Sequence, residues 1–217
     1  MDSPQLLRRD GRVAAVLKPA GWVVHATRHE EPADLRTWVH PTLGAGWEAV
    51  HRLDRDTSGV VLLGADAETR ARLSKLFAAG EVQKSYVALV RGRAHEKGVI
   101  RVALSTDHPG PPQAAVTRYR SIRRFTAFTL LRVRPETGRK HQVRRHLAEI
   151  GHPVIGDLRY DRGPRITVPG YPGRLWLHAA RLDLPGGVSF EAPLAAELAE
   201  HLEVLEAADQ AWAARRS

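Results

Sequence analysis

His51-Arg52-Leu53-Asp54-Arg55-Asp56-Thr57-Ser58-Gly59 runs directly into Val60-Val61-Leu62-Leu63-Gly64. The second stretch is short, apolar and β-branched at its start, with glycines at both ends. It reads as a buried strand. The first crowds charged and titratable side chains into a loop that feeds this strand. Such a loop is costly beside a core unless its charges are paired or used. Two readings fit. One is a solvated turn with surface ion pairs. The other is a loop that holds the Asp54 carboxylate beside arginines at the rim of a core, as an ionised nucleophile is presented. Asp54, Asp56, Ser58 and Gly59 also match the early positions of a calcium loop. The required carboxylate would fall at Ala65, and a strand follows where a helix should, so no calcium site is expected.

A chain of 217 residues makes one domain or one bilobed domain, with length enough for a real core. It has no cysteine, which excludes disulfides, thiolate chemistry and Cys-based zinc. No apolar run approaches a membrane span, and the N-terminus lacks a signal-peptide pattern. A cytoplasmic protein is expected. The formal charge is +9, and 28 of the 33 basic residues are arginine. Arginine suits bidentate phosphate contact and base stacking, so the excess points to a polyanion, most simply nucleic acid.

Alternating and apolar stretches predict strands at 12–17, 22–25, 84–90, 99–104, 115–122, 125–133 and, last, 176–182. Residues 26–47 read as irregular and 161–174 as a Pro/Gly loop. Asp66 caps a helix through Phe77, with Gly80 past its end. The clearest helix runs from about Gly138 to Gly151, with Val143, Leu147 and Ile150 on one apolar face and Lys140, Arg144 and Arg145 on others. Leu194, Leu198, Leu202 and Leu205 mark a C-terminal amphipathic helix. Strands outnumber helices and their links are short. The fold class is therefore α+β, a mixed and largely antiparallel sheet with flanking helices. No exposed apolar stripe is evident before the last helix, so a monomer is expected.

Three further blocks carry chemistry. Arg139, Lys140, Arg144 and Arg145 surround a helix N-terminus, which suits an anion and equally a solvated basic face. His141, His146 and His152 share no helical face in pairs and lack a carboxylate, so no metal is expected. Lys84 and Tyr86 share one strand face, where a tyrosine either packs in the core or stacks on a base. Lys18-Pro19-Ala20-Gly21 makes a tight turn.

In this order, the blocks closely resemble the RluA family of RNA pseudouridine synthases. The resemblance rests on residues 18–25, 51–59, 84–86, 137–147, 151–157 and 177–179, and covers roughly 13–185. It implies the pseudouridine synthase catalytic fold with a central RNA-binding cleft. It also implies one catalytic domain over 1–217, with two subdomains flanking the cleft and no N-terminal S4 module. Gly21-Trp22-Val23-Val24-His25, Ala115–Arg120 and the doubled Arg144-Arg145 look most like a bacterial tRNA-modifying subgroup, which would make uridine 65 the target. A longer insertion expected of that subgroup before residue 135 is missing. The alternatives are a ribosomal (23S) RNA substrate, or a non-catalytic RNA-binding protein of the same fold.

By resemblance Asp54 is the nucleophile, attacking either the uracil ring or the sugar, and Arg144 is the cation that keeps it ionised. Tyr86 stacks on the uracil. Arg52 helps hold the base out of its helix, and Arg55, Lys84, Arg139, Lys140, His141 and Arg145 contact RNA. The isomerisation has no net redox change, so no cofactor or metal is expected. The partner is structured RNA, tRNA favoured and rRNA the alternative, with no DNA and no membrane.

Overall fold

Ser58–Gly64 forms strand β4, buried along its whole length, in a computed structural model that describes residues 2–25, 33–106 and 109–215. The chain divides into two compact units, Met1–Ser85 with His178–Pro193, and Tyr86–Leu177 with Leu194–Ser217. In the first unit, β1 (Gln5–Asp10), β2 (Val13–Lys18), β4 and β9 (Leu177–Asp183) lie in that order. Two short strands join them: β3 (Glu48–Ala49) pairs with β4, and β10 (Ser189–Glu191) with β9. The β4–β9 pair is parallel and the other pairs are antiparallel. Ala15, Val60, Leu62, Val82, Leu182 and Phe190 make its core. Two helices complete the unit: α1 (Leu35–Leu43) and α2 (Ala67–Ala78), whose Asp66 cap accepts from the Thr69 amide at 2.8 Å.

The second unit is the meander β5 (Gln83–Arg91), β8 (Phe128–Pro135), β7 (Thr117–Arg124) and β6 (Lys97–Ile100), in that spatial order. Helix α3 (Gln142–Glu149) carries the expected apolar face, with Val143 and Leu147 in the core and Ile150 packed against it. Helix α4 (Ala196–Ala214) seats Leu198 and Leu205 in the same core and packs Leu202 against it, as does Leu194 just before the helix. No helix among the described residues is long and apolar enough to cross a membrane.

Several expectations need correction. Trp22–His25 is no strand: Val23 makes one isolated parallel bridge to Asp34, and Lys18 binds the Trp22 carbonyl instead. Within 26–47, residues 26–32 lie outside the described residues, but 35–43 is helical. Asp34 caps it, and Pro41 falls late enough in the helix to be tolerated. β1 is an additional, mostly exposed strand, charged as edge strands are. β6 ends at Ile100, and Leu104 pairs only as an isolated bridge with Gln113. α3 begins four residues after Gly138, because His141 stands in the left-handed conformation at its start (φ 52°). Arg144 is buried rather than on an outer face. β9 is followed by one more strand, β10.

Three histidines are built in neutral. His201 on α4 accepts from Trp176 Nε1–H and donates from Nε2 to the Pro169 carbonyl, both at 2.9 Å. His146 on α3 lies between the Thr117 hydroxyl (2.9 Å) and the Val102 carbonyl (3.0 Å). Burial lowers both pKa values. His51 is pushed down to about 3 by burial, with the charge of Lys84 adding to it. In the unfolded chain each titrates near 6.5, so protons bind the unfolded state first as pH falls. The stability these residues contribute is present above about pH 6.5 and lost below it. For His51 the loss is about 1.4 kcal/mol per pH unit between the unfolded and folded values. Urea unfolding should therefore show a loss of stability from pH 6 to pH 5, and a shallower one in His201→Gln.

Candidate functional site

In the first unit the Lys18 turn and the 51–59 loop are stitched together from inside. Lys18 has no exposed surface. Its Nζ donates to the carbonyls of Pro19 (2.9 Å), Trp22 (2.8 Å) and Arg55 (3.0 Å). Three donations require three protons, so the group is an ammonium. The Arg55 carbonyl also accepts from the Gly21 amide at 2.9 Å. The backbone beside Asp54 is thus tied to the turn by two bonds. Asp54 itself is half-buried, and its carbonyl closes a turn with the Thr57 amide.

His51 anchors the start of the loop. Its Nε2 accepts from the Leu62 amide of β4 (3.0 Å), and its ring stacks on Phe77 with centroids 4.4 Å apart. A protonated Nε2 could not accept that bond, which agrees with the low pKa. The end of the loop is anchored by β9. Ser58 pairs with His178, and their side chains bond at 2.8 Å, Oγ to Nδ1. Gly59 (φ 129°) faces Ala179, whose carbonyl oxygen would lie 2.2 Å from any Cβ placed there. Only glycine fits. The turn, the loop and Leu177-His178-Ala179, three separate motifs in the sequence, are here one device that fixes Asp54.

Arg52 and Arg55, expected to contact RNA, are exposed. Lys84 is half-buried in β5, and burial lowers its pKa. The structure thus gathers Asp54, Arg52, Arg55 and Lys84 in the first unit, while Tyr86, Arg144, Arg139, Lys140, His141 and Arg145 belong to the second.

In the second unit Tyr86 stands on β5 opposite Val133, half-buried against the core. Arg144 meets Asp157 in a bidentate pair, Nε to Oδ2 at 2.7 Å and Nη2 to Oδ1 at 2.9 Å. The Asp157 carboxylate is fully enclosed and also accepts from the Arg159 and Tyr160 amides at 3.0 Å. Burial pushes its pKa up, but Arg144 and these amides outweigh that and hold it low. The Tyr160 ring lies under the Arg144 guanidinium at 5.1 Å, and its hydroxyl bonds His141 Nδ1 at 2.9 Å. Burying this pair is tolerable because its geometry is fork to fork and two backbone amides also donate to Oδ1.

Gln142 uses its whole amide. Its Oε1 accepts from Thr137 Oγ1 (2.7 Å) and the Arg139 amide (3.0 Å), and its Nε2 donates to the Val116 carbonyl and to Thr117 Oγ1, both at 2.9 Å. The Thr117 hydroxyl donates to His146 Nδ1. Arg139 and Arg145, expected at RNA, bond the carbonyls of Ala114 (3.3 Å) and Ser105 (2.9 Å). Lys140 is exposed. Lys18, His178 and Asp157 fall within the motifs at 18–25, 177–179 and 151–157, which gave them no role at the site, and no motif includes Tyr160. No group of residues fit to hold a metal ion occurs among the described residues.

The sequence profile described as RNA pseudouridylate synthase matches residues 12–149. A tRNA pseudouridine synthase C of Pectobacterium carotovorum subsp. carotovorum is 40% identical over 85% of this chain, which spans 56% of that relative's length. One from Yersinia pestis is 37% identical over 87% of this chain and 83% of its own length. Among solved structures, human RNA Pseudouridylate Synthase Domain Containing 4 superposes with a TM-score of 0.80. It covers 93% of each chain at 23% identity, a likeness of fold. The stitched Asp54 loop lies inside the matched region, and by profile and relatives together the chain belongs to the RNA pseudouridylate synthase family.

Proposed function

We propose that this chain is an RNA pseudouridine synthase acting on tRNA in the cytoplasm as a monomer, through one catalytic domain with two subdomains. The observation that carries the reading is the Asp54 loop. A buried ammonium, a neutral histidine and a glycine-only strand contact hold one half-buried carboxylate in place. RNA binding alone gives no reason to build this next to a polyanion. The substrate class is supported by the relatives, which are named for tRNA.

In the reaction the C1′–N1 glycosidic bond of a uridine breaks and a C1′–C5 bond forms. The proton on C5 leaves, and N1 ends protonated. Asp54 supplies the nucleophile that holds one fragment while the uracil turns. Tyr86 offers an aromatic face to the base. Arg144, oriented by Asp157 and Tyr160, brings a fixed cation with little freedom left to lose. The uridine first leaves its stack, at a cost of a few kcal/mol. Phosphate contacts from Arg52, Arg55, Lys84, Arg139, Lys140, His141 and Arg145 offset that cost.

The test incubates the protein with unmodified tRNA and, separately, 23S rRNA, and maps pseudouridine by carbodiimide and primer extension. The expected result is a new stop in tRNA, at uridine 65. Asp54→Asn should give none while unfolding at the wild-type temperature. Turnover in that variant would remove Asp54 as nucleophile, and pseudouridine in rRNA alone would reassign the substrate. Asp157→Asn strands a buried guanidinium. It should lose about 3 kcal/mol of stability in urea and fall to the turnover of Arg144→Ala. Wild-type turnover in Asp157→Asn would show that Arg144 needs no such orientation.

A further inference from the structure

The sheet of the second unit has a face that the proposed chemistry does not use. On β7 and β8, Arg118 stands directly opposite Arg134, and Arg120 opposite Arg132. On β6, Lys97 stands opposite Arg120 and Val99 opposite Arg118. The alternate pair, Tyr119 and Val133, is buried. Alternation along a strand therefore puts all five cations on one face. α3 covers the other, where its Gln142 and His146 bond Thr117. All five are exposed.

Like charges directly opposite each other destabilise a sheet. Two acids relieve the cluster in part: Glu136 bonds Arg118, and Glu96 lies 3.9 Å from Arg120. The Arg132 and Arg134 side chains have no hydrogen-bond or ion-pair partner among the described residues. Charges on edge strands are a common defence against unwanted pairing. That accounts for Lys97, because β6 is the edge, but not for arginines on β7 and β8, which are interior strands of this unit. Lys97, Arg120 and Arg132 form a row across three strands, about 10 Å at the usual strand spacing. Arg118 and Arg134 form a second row about 7 Å along. Guanidinium groups so spaced suit the oxygens of successive phosphates.

We propose that this face is a docking surface for the phosphate backbone of the RNA substrate, outside the nucleotide that reacts. The proposal rests on the reading of the chain as a tRNA-modifying enzyme. Its test compares wild type with the double variant Arg132→Ala and Arg134→Ala, measuring fluorescent tRNA binding across a salt series together with turnover. The variant should bind at least about tenfold more weakly, and the slope of log affinity against log salt should shrink by about one to two. KM for tRNA should rise while kcat at saturation stays, and stability should be unchanged or higher. A control, Arg8→Ala with Arg181→Ala, removes the same charge from exposed positions of the first unit and should leave the slope near wild type. Unchanged affinity and slope in the first variant would overturn the proposal, as would an equal loss in the control. Loss of binding to anionic vesicles with tRNA binding intact would assign the face to a membrane surface and overturn it too. A wild type that neither binds nor modifies tRNA would fail the underlying reading instead.

Discussion

The buried ammonium of Lys18 constrains the first unit more than any other single group. A charge with no exposed surface must have its partners within the protein. Its partners include the carbonyls of Pro19, Trp22 and Arg55, contributed by two segments more than thirty residues apart. Were either segment to move, the cation would lose acceptors that water could not replace, a penalty of several kcal/mol. The turn at 18–22 and the loop at 51–59 therefore have one arrangement, and Asp54 inherits its position from it. The opposite end of the loop is bound as tightly, since Gly59 admits no side chain against Ala179.

The second unit solves the same problem with a different pair. Arg144 is a cation on a helix that should be amphipathic, yet it points inward. Asp157 makes that possible by meeting it with two parallel bonds while two backbone amides take up the remaining acceptor capacity. Next to it, Thr137, Gln142, Thr117 and His146 form a chain in which every donor has an acceptor. Buried polar networks hold one conformation only when fully satisfied, and this one meets that condition. Orientation is thereby settled before any substrate arrives, as catalysis by placement requires.

Local physics made much of the fold legible. β4 announced itself by apolar, β-branched residues between glycines, α2 by Asp66 and Gly80, and α3 and α4 by leucines and valines at helical spacing. What escaped was whatever depended on a distant partner. β1 has no alternation because it is a charged edge strand. α1 was hidden by Pro41, harmless near a helix end. Trp22–His25 looked like a strand by composition, but its carbonyl at Trp22 belongs to Lys18.

The sequence by itself determined the chemistry on offer: one loop rich in charge, a basic chain without cysteine, and an ordered set of motifs that resembles one enzyme family. Residue type and order suffice for that, because they set propensity, charge and motif. Only the tertiary structure decided which groups share a bond. It made Lys18 a clamp rather than a turn residue, paired Arg144 with Asp157, and set four arginines opposite one another on a sheet face. Those outcomes depend on strand register and on contacts between residues far apart in the chain. No local pattern encodes them, since a shift of one residue would send each of those arginines to the other face.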